Sequence, residues 1–196
     1  MLTQGIVLGH LISPDGIKAD PGKIQVILNL PVPCTQKEVG SFIGYASYYR
    51  RFVQNVSKYA NPLFLLMSKN KHLEWSNYCQ LAWETLKQKV SIAPILRGPN
   101  WSFPFLISTD ASDTTLGGVI GQQEYHKPYA IYFISKNITV AKLNYTVTEK
   151  EFMSFIYTID KFIHYIIGYP VTHVHIDHSS IKYPWELHLL TNILSR

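Results

Sequence analysis

Phe103-Pro104-Phe105-Leu106-Ile107-Ser108-Thr109-Asp110 is an apolar, strand-forming run that ends on an acid. Val171-Thr172-His173-Val174-His175-Ile176-Asp177 repeats the pattern, a second apolar run closing on an acid. Between them, Thr148-Glu149-Lys150-Glu151 opens a long amphipathic helix. The order strand, hairpin, strand, helix, strand therefore delivers one carboxylate from each of three separated elements. Carboxylates at strand ends and in the first turns of a helix can converge, and like charges gathered in this way need divalent cations to hold them.

Working outward, Gly117-Gly118-Val119-Ile120-Gly121 reads as a strand paired in a hairpin with the one ending at Asp110. Lys127 to Ser135, with Tyr129, Ile131 and Phe133 alternating, reads as a third strand. Thr146 and Thr148 are alternative N-caps for the helix, whose core stripe is Phe152, Phe155, Ile156, Ile159, Phe162, Ile163 and Ile166 and which Gly168 ends. A helical crossover makes the fourth strand, ending at Asp177, parallel to the first. Leu96-Arg97-Gly98-Pro99-Asn100 reads as a linker to whatever precedes this sheet.

The earlier part of the chain predicts a different architecture. Residues 6–18 suggest a β-hairpin turning at Ser13-Pro14-Asp15-Gly16. Asp20-Pro21 opens a first helix, and Thr35-Gln36-Lys37-Glu38 is a capping box for a second. Asn61-Pro62 opens a third, ending at 68–71, and Ser76 caps a fourth. Residues 20–93 thus read as a small all-α unit. On the second helix Gly40, Gly44 and Tyr48 fall on one face, each four residues from the next. Each glycine costs roughly 1 kcal/mol against alanine in a helix interior. Two aligned glycines fit either close approach to a nucleic-acid groove, with Lys37, Arg50 and Arg51 near phosphates, or tight helix packing.

With 46% apolar and 16% charged residues the chain is globular. The net charge of +5 suits a polyanionic partner, though only as a weak pointer. Cys34 and Cys79 lack metal-ligand spacing and read as reduced thiols of an intracellular protein, nuclear or cytoplasmic and not secreted. No apolar run approaches the roughly 18 residues of a membrane span, and the start lacks the features of a signal peptide, so no membrane partner is expected.

Several motifs in fixed order resemble one family. Leu8-Gly9-His10-Leu11-Ile12-Ser13 with Asp15-Gly16-Ile17 resembles the primer-grip hairpin at the end of a reverse transcriptase palm. Ser41-Phe42-Ile43-Gly44 followed by Tyr48-Tyr49-Arg50-Arg51-Phe52 resembles the thumb signature, and Trp75, Cys79, Ala82-Trp83 and Leu86-Lys87 the connecting stretch. Thr109-Asp110-Ala111-Ser112, Asn144-Tyr145, Glu149-Lys150-Glu151 and Ile176-Asp177-His178 resemble the motifs of the RNase H domain. The chain is similar to the thumb and RNase H part of a gypsy-type LTR retrotransposon reverse transcriptase polyprotein, over residues 6–183.

That resemblance implies an α/β (α+β) fold: a small helical thumb-like unit, then a truncated RNase H-like mixed β-sheet with one long helix. It divides the chain into a palm-end hairpin (1–19), thumb and connection (20–95), RNase H-like domain (96–183) and an aberrant tail (184–196). It implies that Asp110, Glu151 and Asp177 are the catalytic acids and bind two Mg²⁺, with Mn²⁺ as a substitute, and that the reaction is hydrolysis of RNA in RNA/DNA hybrids. Glu151 takes the role because it precedes apolar Phe152 in the family pattern, while Glu149 suits a capping box with Thr146. Gly40, Gly44, Tyr48, Arg50, Arg51 and His10 would contact the nucleic acid. The fingers and the palm with its paired aspartates are absent, so no polymerase site is expected in this chain, and the missing parts of the polyprotein are an expected partner. After 180–183 the family pattern dissolves, a fourth carboxylate has no counterpart, and an internal deletion would account for both. The alternative is accordingly a catalytically inactive, nucleic-acid-binding transposon relic.

Overall fold

The computed structural model of the chain describes residues 4–67, 73–168 and 172–176. It divides into two compact units, residues 1–96 and 97–196.

The first unit begins with a three-stranded antiparallel meander, β1 (Gly5–Val7), β2 (His10–Ser13) and β3 (Gly16–Ala19). The sequence pattern gave one turn and the structure has two. The additional turn is Leu8-Gly9, with positive φ at both residues (47° and 68°). This is the backbone of a two-residue hairpin, but Leu8 stands where Asn or Gly would announce it. Four helices follow: α1 (Pro21–Asn29), α2 (Gln36–Tyr48), α3 (Val56–Leu65) and α4 (Asn77–Ser91). Asp20, Thr35 and Ser76 cap α1, α2 and α4 with their side chains, and Thr35 with Glu38 completes the capping box.

Two expectations fail here. Asn61-Pro62 does not open α3; Pro62 lies inside it, and the helix starts after Asn55. Buried Val56, Ala60 and Leu63 form one face of α3, and packing of that face outweighs the missing N–H of proline. Leu96 is not linker either. It is fully buried and exchanges backbone hydrogen bonds with Ile17. Across this unit Lys87 reaches the open end of α1, donating to the carbonyls of Leu28 (2.7 Å) and Leu30 (2.6 Å) from above the Trp83 ring. Burial pulls its pKa below the usual lysine value.

The second unit is a four-stranded sheet, order β6-β5-β4-β7, with α5 (Val147–Ile166) crossing it. Its strands are β4 (Phe105–Ala111), β5 (Thr115–Glu124), β6 (Lys127–Asn137) and β7 (Thr172–Ile176). Strands β4, β5 and β6 pair antiparallel, and β7 lies parallel to β4 as the crossover requires. Phe105, Ile107, Ile120 and Ile131 of the sheet pack against Phe155, Ile159, Phe162 and Ile166 of α5. The segment leading into β4 is strapped to the sheet. Buried Gln122 donates to the Asn100 and Phe103 carbonyls and accepts from the Asn100 N–H, while Arg97 pairs with Glu124 at 2.6 Å.

The stripe on α5 is narrower than its apolar residues suggest. Phe152 and Ile156 are 54% and 52% exposed. They help to line a cleft of about 460 Å³ that Leu116 of β5, Lys136 of β6, Ile138 and Lys142 also line, beside the β6 edge of the sheet. The sheet-facing row is instead partly polar: Glu151, Ser154 and Thr158 are all buried.

Candidate active site

Helix α5 is placed on β4 by short polar contacts. Thr146 caps it and forms a capping box with Glu149, whose Oε2 accepts from the Thr146 N–H (2.8 Å) and hydroxyl (2.8 Å). The backbone bond first, and then the hydroxyl, hold the Glu149 carboxyl below its usual pKa. Glu149 is thus committed to starting the helix.

Glu151 is buried, and its Oε1 accepts the N–H of Ala111 at 3.3 Å. One turn later the Ser154 hydroxyl lies 2.8 Å from the carbonyl of Asp110 and 2.9 Å from that of Gly117. A further turn on, Thr158 covers Gly118, where an added Cβ would meet Thr158 Oγ1 at 2.4 Å. The missing side chain at Gly118 is what lets the helix lie this close to the sheet. The result is a buried glutamate and an exposed aspartate, Asp110, brought together at one strand end.

On the other side of β4, Thr109 pairs in register with Ile176 of β7. Asp177 and His178 lie outside the described residues. His173 and His175 are exposed on β7, as strand alternation predicts. Among the described residues no group of three or more His, Cys, Asp or Glu side chains is placed to hold a metal ion. The two acids that are described, Asp110 and Glu151, offer oxygen donors, the ligand type that a hard divalent cation takes.

The residues expected to touch nucleic acid divide into two groups. His10 stacks on Tyr48 (ring centroids 5.3 Å apart) and on Phe52 (5.6 Å), and Arg51 lies over the Phe52 ring at 5.4 Å. The hydroxyl of Tyr48 donates to the Leu8 carbonyl and that of Tyr49 to the Gly9 carbonyl (3.1 Å), so the end of α2 holds the Leu8-Gly9 turn. Arg50 is exposed. Further along α2, Gly44 faces open space, while an added Cβ at Gly40 would meet Met67 Cε, the tip of a flexible side chain, at 3.0 Å. Net charge separates the units. Residues 1–96 hold ten Lys and Arg against five Asp and Glu, and residues 97–196 hold eight of each.

Residues 75–174 match the family described as an RNase H-like domain found in reverse transcriptase. The chain belongs to that family. Its relatives are retrotransposon Pol polyproteins: it is 35% identical over 162 residues to that of Drosophila melanogaster transposon 297 (82% of this chain, 15% of the relative). It is 31% identical over 192 residues to that of the D. melanogaster transposon opus (92% and 19%), and 31% identical over 160 residues to the Tf2-3 polyprotein of Schizosaccharomyces pombe (81% and 12%). The chain therefore spans less than a fifth of these relatives.

Solved structures share the fold. A foamy viral protease-reverse transcriptase in complex with dsDNA superposes with a TM-score of 0.79 at 22% identity, covering 100% of this chain and 42% of that one. The same kind of protein in complex with an RNA/DNA hybrid gives 0.75 at 24% identity, covering 88% and 23%. The reverse-transcriptase RNase H-like fold is thus the one observed here, a mixed sheet with a crossing helix. The buried row of Ser154 and Thr158 is the part of the site that apolar periodicity passes over. Its signal is two adjacent strand glycines, Gly117-Gly118, opposite small polar residues at helical spacing.

Proposed function

We propose that the sheet unit hydrolyses the RNA strand of RNA/DNA hybrids, with Asp110, Glu151 and Asp177 holding two Mg²⁺. The observation that carries this is the docking of buried Glu151 on the Ala111 N–H, immediately after exposed Asp110. The pairing of Thr109 with Ile176 supports Asp177 as the third acid, since each partner is followed in sequence by an aspartate. Bound cations would supply an activated water and stabilise the leaving 3′ oxygen. This chain's own contribution is orientation. The Ala111 N–H orients the Glu151 carboxylate at the strand end, as supporting hydrogen bonds do around metal sites.

The helical unit would hold the hybrid. It carries the whole net positive charge of the chain, and Gly44 keeps one face of α2 low beside Tyr48 and Arg50. Contacts of this type read backbone and shape rather than sequence. In a longer polyprotein this unit would work beside a palm and fingers.

A labelled RNA/DNA hybrid incubated with the purified chain, with and without Mg²⁺, tests the assignment. Mg²⁺-dependent cleavage that Asp110→Asn abolishes is the expected result. Retention of the hybrid without cutting would favour the inactive, binding-only alternative. Cleavage by Asp110→Asn at the parent rate would remove the proposed site.

A further inference from the structure

We propose that Lys150 is a positioning residue: with Asp113 it latches the β4–β5 turn onto the start of α5, holding Ala111, and with it Asp110, against Glu151. Lys150 is 7% exposed, a rare state for a lysine. Its ammonium lies 3.7 Å from the carboxylate of Asp113, which is 96% exposed. A pair with one member in water adds little to stability, whereas taking an ammonium out of water is costly. Stability therefore does not account for a buried lysine here, but its position does. Asp113 stands in the turn that links the strand end carrying Asp110 to β5, a turn closed by the Ser112 and Thr115 hydroxyls at 2.6 Å. Helix α5 meets this short stretch at three points: Ser154 at the Asp110 carbonyl, Glu151 at the Ala111 N–H, and Lys150 at Asp113. Adjacent helix residues project about 100° apart, so Lys150 and Glu151 grip the turn from two directions.

The latch itself is a matter of geometry; its effect on metal binding rests on the nuclease reading above. Two measurements on the full chain separate them. The first is amide exchange at Ala111, which needs neither metal nor activity, and the second is Mg²⁺ binding by calorimetry. Lys150→Met and Asp113→Asn should each speed Ala111 exchange by about fivefold and leave Ile120 unchanged. Both should weaken Mg²⁺ binding by about the same factor, and Lys150→Arg should stay near the parent. Asp113→Asn alters a surface residue, so it tests the latch even if Lys150→Met fails to fold. Tighter Mg²⁺ binding by Lys150→Met would overturn the proposal, because a lysine acting only through its charge repels the cation. Faster exchange across the whole sheet would overturn it too, as would no change at Ala111. A parent chain that binds no Mg²⁺ would sink the nuclease reading while Ala111 exchange still decides the latch.

Discussion

Helices α2 and α5 begin alike and are tied to strands by the same kind of contact, yet they do different work. Each starts with a threonine-glutamate capping box, and each sends side-chain hydroxyls to main-chain carbonyls of a nearby strand or turn. On α2 the hydroxyls are those of Tyr48 and Tyr49, long arms at the end of the helix, and Tyr48 remains half exposed beside His10. On α5 the hydroxyl is that of Ser154, short, fully buried, and pressed against a strand that gives up a side chain at Gly118. A long aromatic arm leaves a surface open to a partner. A short buried hydroxyl fixes backbone against backbone, as the placement of a carboxylate requires.

The sharpest way to break this contrast is at Gly118. Gly118→Ala puts a methyl group 2.4 Å from Thr158 Oγ1 and should destabilise the chain by about 3 kcal/mol in urea unfolding. Thr158→Ala in the same chain should recover much of the loss. Next, Ser154→Ala leaves one buried and one part-buried carbonyl without its hydroxyl and should cost about 2 kcal/mol. Tyr49→Phe, at the other helix, should cost about 1 kcal/mol by the same assay. Equal losses at Ser154 and Tyr49 would erase the distinction between a short hydroxyl set against two carbonyls and a long one that reaches a single carbonyl.

Titration sharpens the comparison further. Burial, then the charges of Asp20 and Tyr48, push the Tyr49 hydroxyl from 10.0 up to about 12. Its folded pKa exceeds its unfolded one, so its contribution is complete below pH 10.0 and is lost as the pH rises towards 12. Denaturation midpoints across that window should fall for the parent and flatten for Tyr49→Phe. The smallest effect belongs to Glu149. Its carboxyl is held below the usual 4.5 by Thr146, so the cap is fully present above that value and is lost as the pH falls below it. Glu149→Gln should blunt this acid limb, read by circular dichroism, and leave cleavage intact.

Local chemistry made much of the architecture legible before any coordinates. Asp20-Pro21, the two capping boxes, the alternation in β6 and the crossover to a parallel β7 all follow from short-range rules. The misses share a cause, since each was decided by how a face is packed or held in the fold and not by the local pattern. Leu8 adopts a positive φ because Tyr48, far along the chain, takes its carbonyl. Pro62 is tolerated inside α3 because Val56, Ala60 and Leu63 are buried around it. Phe152 and Ile156 stand outside the core because the sheet covers only part of the apolar arc of α5. At the site, Asp110 and Glu151 were legible as acids at element ends. The lysine beside them and the serine that sets the spacing were not, because neither is apolar or acidic.

Whether Asp110 and Glu151 share a cation is tested directly by crystals of the chain soaked in Mn²⁺. Anomalous density within bonding distance of carboxylate oxygens from both residues is the predicted result. Density elsewhere, or at only one of the two, would contradict it.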